Sequence, residues 1–292
     1  MAESNRDETE VVATVARALD LEDDSAPSEA RELEGGQIGS AYRVDLADGS
    51  RVVAKVGRTP LSVEAFMLRT LARESALPVP AVHHADDDLL VLEYVEGSTD
   101  HDAAVARDAA DRLAALHEHT ADAFGLERDT LTGPVRQPNP WTDSWIEFYR
   151  EHRLEHVKRL ALEDGALPSL LADRVDAVAD DLGTLLEEPD DPALIHGDVW
   201  RTNVLSADGR VTAFLDPATY YAHPEVELAY VDWTDTFADP FFDRYREHRS
   251  IAPGFFDRRR YVYRLYPLLV HVLLFGGRYV ERLEGTLDRL GY

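Results

Sequence analysis

The sequence predicts an α+β protein in which a small β-rich lobe, residues 1–96, precedes a larger helical lobe, residues 97–292. Two observations carry that expectation. Between residues 40 and 95 apolar side chains recur at every second position in short segments, the spacing of half-buried strands. From Glu96-Gly97 onward the spacing is mostly helical, with one extended interruption between Ala193 and Asp216. A chain of 292 residues is long enough for two lobes sharing a cleft, hinged here near Glu93–Gly97.

In chain order, residues 8–20 read as a short amphipathic helix and Asp23 to Glu29 as a loop. Ser40–Leu46 and Arg51–Val56 are alternating strands joined by the turn Ala47-Asp48-Gly49-Ser50. Leu61 to Ser75 is helical, and Pro78 and Pro80 end it. Strands follow at Ala81–His84 and Leu89–Val95. Helices are expected over Ala104–His119, Trp141–Ala161 and Leu170–Leu186. A last helical stretch, Phe255–Leu290, is expected to break at Pro267 and at Gly276-Gly277.

Composition excludes several classes of function. With no cysteine, the chain has no disulfide, thiolate metal site or cysteine nucleophile. Its 56 acidic against 30 basic residues give a formal charge of -26, which repels nucleic acid and anionic membranes. The start, MAESNRDETE, is polar and unlike a signal peptide, and no apolar run reaches membrane-spanning length. A cytoplasmic monomer is expected. The acidity is spread along a chain that is 45% hydrophobic, so it points to a folded protein in a very salty cytosol rather than to disorder.

The informative segment runs from Ala193 to Asp216. Val204–Ser206 and Val211–Leu215 are apolar strands around the turn Ala207-Asp208-Gly209-Arg210. Folded as a hairpin, they bring Asn203 and Asp216 to one open end, where amide and carboxylate oxygens suit Mg²⁺. Asp198, on the loop entering the hairpin, is placed to accept a proton from a substrate hydroxyl. That division of labour is what phosphoryl transfer from ATP asks of a protein. Zinc at His196 and Asp198 lacks a third ligand at suitable spacing, and His196 is expected to brace the loop instead.

A second group supports the first. Lys55 stands on a strand in a chain with only one other lysine, Lys158, which suggests a compact ammonium is needed there. Glu64 falls on the apolar face of the next helix with Leu61, Leu68 and Leu71, so an ion pair with Lys55 is expected. The loop Gly35-Gly36-Gln37-Ile38-Gly39-Ser40 permits close backbone approach to phosphate, through Gly36, Gly39 and Ser40 in particular. Glu93 and Val95 end the last strand of the lobe, where backbone groups are placed to hold adenine.

With these residues in view, the chain resembles the fructosamine kinase (ketosamine-3-kinase) family, within the aminoglycoside phosphotransferase and choline kinase superfamily. The resemblance rests on His196-Gly197-Asp198, Asn203, Asp216 and Leu113–His117, and more narrowly on Trp200 and Asp216-Pro217-Ala218-Thr219-Tyr220-Tyr221. His223, Glu225, Asn139-Pro140-Trp141, Trp145, Phe148, Arg153-Leu154 and the Leu265–His271 helix extend it. It implies a protein-kinase-like two-lobed fold and ATP- and Mg²⁺-dependent phosphorylation of the 3-hydroxyl of ketosamines, free or protein-bound, leading to deglycation. It also implies that Trp200 stacks on the sugar and that His223 and Glu225 belong to the substrate site. The chain departs from the family pattern at Arg201-Thr202 (usually Ser-Gly), Ala222 (Gly) and Glu227 (Asp).

Two rivals remain at this stage: a kinase for another hydroxyl acceptor, such as an aminoglycoside or choline, and a non-catalytic nucleotide-binding pseudokinase. The charge generates a separate prediction. Lowering salt to ~0.1 M, where the Debye length is about 10 Å, should cost fold or activity. An unchanged melting temperature and full activity at that salt would refute it.

Overall fold

The computed structural model describes residues 8–21, 27–33, 39–57 and 59–292. They form two compact units, one comprising residues up to Asp100 together with Thr202–Pro217, the other His101–Arg201 with Ala218–Tyr292. The division differs from the expected boundary at residue 96 in two respects: the break falls after Asp100, and the late hairpin belongs with the first unit.

The first unit is a five-stranded antiparallel sheet with two helices. Its elements are α1 (Glu8–Ala18), β1 (Pro27–Glu32), β2 (Ser40–Leu46), β3 (Arg51–Val56), α2 (Leu61–Glu74), β4 (Val82–Ala85) and β5 (Leu89–Glu93), with strand order β1-β2-β3-β5-β4. Alternation assigns side chains to the two faces. Val52, Ala54, Leu89 and Val91 pack with Val11 and Val15 of α1. Leu90 and Leu92 pack with Leu61, Ala65 and Leu68 of α2, with Val53 against them.

Strand β1 corrects the end of the expected loop over Asp23 to Glu29, at residues 27–29; residues 23–26 lie outside the described residues. Only Ala30 of its six residues is buried, so an edge strand of this composition leaves no alternating signal. The late hairpin pairs Val204–Ala207 with Arg210–Phe214. Gly97 lets the connecting chain lie against it, since a Cβ there would stand 2.8 Å from Thr212 Oγ1 and 2.9 Å from Leu205 Cβ. Ser98 and Ser206 exchange backbone hydrogen bonds of 2.8 Å beside it.

The second unit is mainly helical. It contains α3 (Ala103–Leu116), α4 (Trp145–Tyr149), α5 (His156–Glu163), α6 (Ser169–Leu185), α7 (Glu225–Thr234), α8 (Pro240–His248), α9 (Arg260–Phe275) and α10 (Arg278–Leu290). A π-helical stretch, Arg150–Glu155, joins α4 to α5, so the expected helix from Trp141 begins four residues late. Its core centres on Trp145, which is fully buried among Phe124, Phe148, Tyr149 and Tyr263.

Three further expectations are corrected. Extended structure is not confined to residues 193–216: Ala193–Ile195 pairs with Tyr220–Ala222, and Thr130–Thr132 pairs with Val135–Gln137. Helices α7 and α8 were not anticipated. Finally, α9 runs through Pro267 without breaking. Proline lacks the N–H that would bond the Tyr263 carbonyl one turn earlier. The Tyr149 hydroxyl supplies it instead, donating to Tyr263 O at 3.2 Å and to Val262 O at 3.0 Å. The break falls at Gly276-Gly277, as expected.

Candidate active site

Lys55 shares the α2-facing side of β3 with Val53 because strand residues two apart point the same way. Its ammonium bonds Glu64 Oε1 at 2.6 Å and also Asp216 Oδ1. Burial works against the charge on Lys55, but the Asp216 and Glu64 carboxylates outweigh it and raise its pKa well above the ordinary lysine value. The ammonium therefore stays protonated at any working pH.

Asp216 sits at φ +53°, in the left-handed region, immediately before Pro217. Such a backbone is sparsely populated for a non-glycine residue. Leu215 N–H donates to Asn203 O at 2.8 Å, closing the hairpin so that Asn203 and Asp216 lie at its open end. Asn203 is buried, whereas the Asp216 side chain is 50% exposed and can take a cation from solvent. Among the described residues no group of three or more His, Cys, Asp or Glu side chains could hold a metal by itself. One amide and one carboxylate oxygen fit Mg²⁺, which keeps waters and takes phosphate oxygens, and do not fit a metal needing a full protein cage.

The other nucleotide candidates are placed as follows. Gly36 lies outside the described residues. Gly39 has φ +120°, and Ser40 opens β2 opposite Val56. Glu93 ends β5, where its N–H donates to Ala81 O at 2.8 Å and its carboxylate accepts from Ala81 N. Val95 follows, half-buried.

In the second unit, the Asp198 loop is held by a buried carboxylate. Glu227 of α7 accepts from Gly197 N–H at 2.7 Å, from His196 N–H at 3.3 Å and from His117 Nε2 at 3.0 Å. A carboxylate only accepts, so His117 Nε2 carries the proton; its Nδ1 meets the Tyr245 hydroxyl at 2.7 Å. Burial opposes the charge on Glu227, but the His117 hydrogen bond, the electrostatic influence of the His117 and His196 imidazoles and the Gly197 N–H together keep its pKa below the ordinary value. His196 Nδ1 accepts from Asp198 N–H at 3.3 Å, the bracing expected of it. Gly197, at φ +88°, passes so near the 218 segment that a Cβ would stand 2.3 Å from Ala218 O. Only glycine fits there.

The candidate substrate residues are more scattered. Trp200 is half-buried on the loop, unlike the core Trp145. His223 packs against Trp145 and Tyr263, and burial, followed by the Arg259 charge, lowers its pKa to about 3. It is neutral at working pH. Glu225 is committed to a buried two-point ion pair with Arg259, at 2.7 and 2.6 Å. Arg259 in turn donates to Pro253 O and Ala252 O. Sequence reading missed Arg259, Tyr245 and Tyr230. Tyr230 lies three residues after Glu227 and hydrogen-bonds Asp198; burial and then that carboxylate raise its pKa well above the ordinary phenol value. A phenol one helical turn from the bracing carboxylate was the available signal.

The sign of the Glu227 shift sets an acid dependence. A carboxyl whose folded pKa lies below the unfolded one contributes stability that is full above pH 4.5 and is lost as pH falls through the folded value. Glu227→Gln, which cannot ionise, should lose less stability in acid than the parent. Glu227→Ala should cost about 3–5 kcal/mol at neutral pH, because it strands a buried His117 and two N–H groups. Urea denaturation from pH 7 down to 3 tests both, and parallel curves for parent and Glu227→Gln would contradict the assignment.

Over nearly its whole length the chain is similar to known proteins. The family model described as fructosamine kinase matches residues 11–291. A probable ketoamine kinase of Synechocystis is 34% identical over 275 residues, covering 89% of this chain and 90% of that one. A chloroplastic protein-ribulosamine 3-kinase of Arabidopsis thaliana is 30% identical over 267 residues, covering 87% and 80%. A crystal structure described as a candidate fructosamine-3-kinase from Thermobifida fusca superposes with a TM-score of 0.85 at 32% identity, covering 96% and 98%. An aminoglycoside phosphotransferase in complex with ADP and hygromycin B shares the fold, with a TM-score of 0.68 at 18% identity over 96% and 97% of the two chains. The chain is therefore a kinase of the protein-kinase-like fold and belongs to the fructosamine kinase family.

Proposed function

We propose that this chain transfers the γ-phosphoryl group of ATP to the 3-hydroxyl of a ketosamine such as ribulosyl- or fructosyl-lysine, and so initiates deglycation. The observation that carries the reading is the Lys55 ammonium held between Glu64 and Asp216. A lysine fixed by a helix glutamate, next to an aspartate that would take Mg²⁺, is what alignment of nucleotide phosphates requires.

In the first unit, Lys55 steadies the α/β-phosphates, with Glu64 fixing its direction. Gly39 and Ser40 approach the phosphates through their backbone, Gly36, outside the described residues, is assigned to the same loop on its sequence alone, and the backbone around Glu93 and Val95 receives adenine. Asn203 and Asp216 would hold Mg²⁺, which supplies charge neutralisation of the phosphate oxygens when bound.

In the second unit, Asp198 accepts the proton of the sugar hydroxyl as its oxygen attacks phosphorus. The new O–P bond forms as the bond to the ADP oxygen breaks, and the proton ends on the carboxylate. Tyr230 and His196 fix Asp198 for that role. Trp200 presents its ring to the sugar C–H face. His223 stays neutral against Trp145 and Tyr263, while Glu225 acts through Arg259 on the 252–259 segment.

No described helix is long and apolar enough to cross a membrane. With the charge of -26, that supports our assignment of a monomer working in a salt-rich cytoplasm, apart from nucleic acid. A kinase for another hydroxyl acceptor is the second reading, favoured only by the fold shared with the aminoglycoside phosphotransferase.

The test is Mg·ATP-dependent ADP release in high salt with ribulosyl-lysine and fructosyl-lysine, beside Asp198→Asn. Turnover of a ketosamine, reduced about 10³-fold in the variant, is the expected result. No turnover with either sugar, but turnover with an aminoglycoside, would transfer the assignment to the second reading.

A further inference from the structure

Beside Asp198 the second unit carries an aromatic shelf that, beyond Tyr230, the phosphoryl-transfer chemistry does not use. It starts at Tyr230, whose ring centroid is 5.8 Å from that of Trp233. Trp233 meets His271 edge-on at 5.3 Å, and His271 meets Tyr279 at 4.7 Å and Phe275 at 5.6 Å. These rings are not sealed in the core. Trp233, His271 and Tyr279 are half-buried, and Phe275 is 47% exposed. His271 Nδ1 donates to Pro267 O at 2.6 Å, since a carbonyl only accepts, so Nε2 is the acceptor nitrogen. Burial, and behind it the charges of Arg282 and Arg278, lower the His271 pKa and keep the ring neutral.

Two guanidiniums close the far end. Arg278 and Arg282, one turn apart on α10, lie over the Tyr279 ring at 5.1 and 5.6 Å. Neither forms an ion pair with a carboxylate of the described residues, although 56 of the chain's 292 residues are acidic. Asp232, the residue beside Trp233, is already taken by Arg260 at 2.9 Å and by Arg264. The shelf therefore leads from the base, along neutral rings, to a pair of uncompensated positive charges.

We propose that this shelf is the subsite for the amine half of the acceptor, with Trp233, His271 and Tyr279 packing a lysine side chain and Arg278 and Arg282 binding its free α-carboxylate. The inference rests on the ketosamine reading of the Asp198 site and adds a substrate class to it: low-molecular-weight ε-ketosamines of lysine, in preference to glycated lysine inside a polypeptide. The chemistry matches along its length. Methylenes pack on ring faces, and a protonated secondary amine is attracted to them and to an acceptor nitrogen. A carboxylate is met by paired guanidiniums. From the sugar 3-oxygen to the lysine carboxylate is about ten bonds of ~1.5 Å, roughly 12 Å when extended. Ring-to-ring steps of 5.8, 5.3 and 4.7 Å trace a path of at least that length from Tyr230 to Tyr279. A peptide-bonded lysine offers the rings its side chain but offers the arginines no carboxylate.

The experiment compares kcat/KM for ribulosyl-ε-lysine as the free acid and as its C-terminal amide, with the α-amine acetylated in both. It uses the full chain and an Arg278→Ala/Arg282→Ala double variant at one fixed salt concentration. The expected result is a preference for the acid of about tenfold, carried by KM, that collapses toward one in the double variant. Both arginines are exposed, and a melting curve checks that the variant is folded. Equal values for acid and amide in the parent would overturn the subsite while leaving ketosamine kinase activity intact. A preference that survives in the double variant would overturn the role of these arginines. Absence of turnover with every ketosamine would overturn both this inference and the reading it rests on.

Discussion

A carboxylate with no solvent exposure stays charged only if several donors converge on it. Glu227 meets that condition with two backbone N–H groups of the His196-Gly197 turn and the protonated nitrogen of His117. The donors come from two parts of the unit, the His196-Gly197 turn and the end of α3, and Tyr245 of α8 orients the histidine. The position of the Asp198 loop is thus set by an internal charge rather than by the loop's own sequence. Gly197 completes the constraint, because the turn approaches Ala218 too closely for any side chain. Glutamate in place of the aspartate usual in the resembling family still reaches both N–H groups, so the longer side chain is accommodated without loss of the bracing contacts.

The first unit solves a parallel problem by strand parity. Every second residue of β3 faces α2, which puts Lys55 beside Val53 and opposite Glu64. The late hairpin joins that unit through Gly97 and the Ser98–Ser206 bridge and delivers Asp216 to the same ammonium. The left-handed backbone of Asp216 belongs to this arrangement: strain at one residue is offset by pairing that fixes where its carboxylate stands.

Much of this was legible in the chain. Alternation gave β2, β3 and β5, and the position of Glu64 among Leu61, Leu68 and Leu71 gave its ion pair with Lys55 before any coordinates. The hairpin between Asn203 and Asp216 was readable from two apolar runs around Asp208-Gly209. What escaped has physical reasons. Strand β1 buries one side chain and shows no period. Helix α7 is short and turns Glu225 and Glu227 inward, so its buried face looks polar. Helix α8 did carry a signal, Pro240 at its start with Phe241, Phe242 and Tyr245 on one side. Proline 267 misled because the group that satisfies the Tyr263 carbonyl comes from Tyr149, 114 residues away. Tertiary rescue of that kind has no local signature. Likewise, nothing local to Glu225 announces its ion pair with Arg259, 34 residues on.

Family membership and the two groups of residues support the account we propose, in which the first unit manages phosphate charge and the second manages the acceptor hydroxyl. Its central claim concerns a single new bond, from the transferred phosphorus to the sugar 3-oxygen. The most direct measurement is phosphorus–carbon correlation NMR on the product formed from ¹³C-labelled ribulosyl-lysine and ATP. The account predicts coupling of the new phosphorus to C3. Coupling to another sugar carbon, or phosphorus found only as inorganic phosphate, would contradict it.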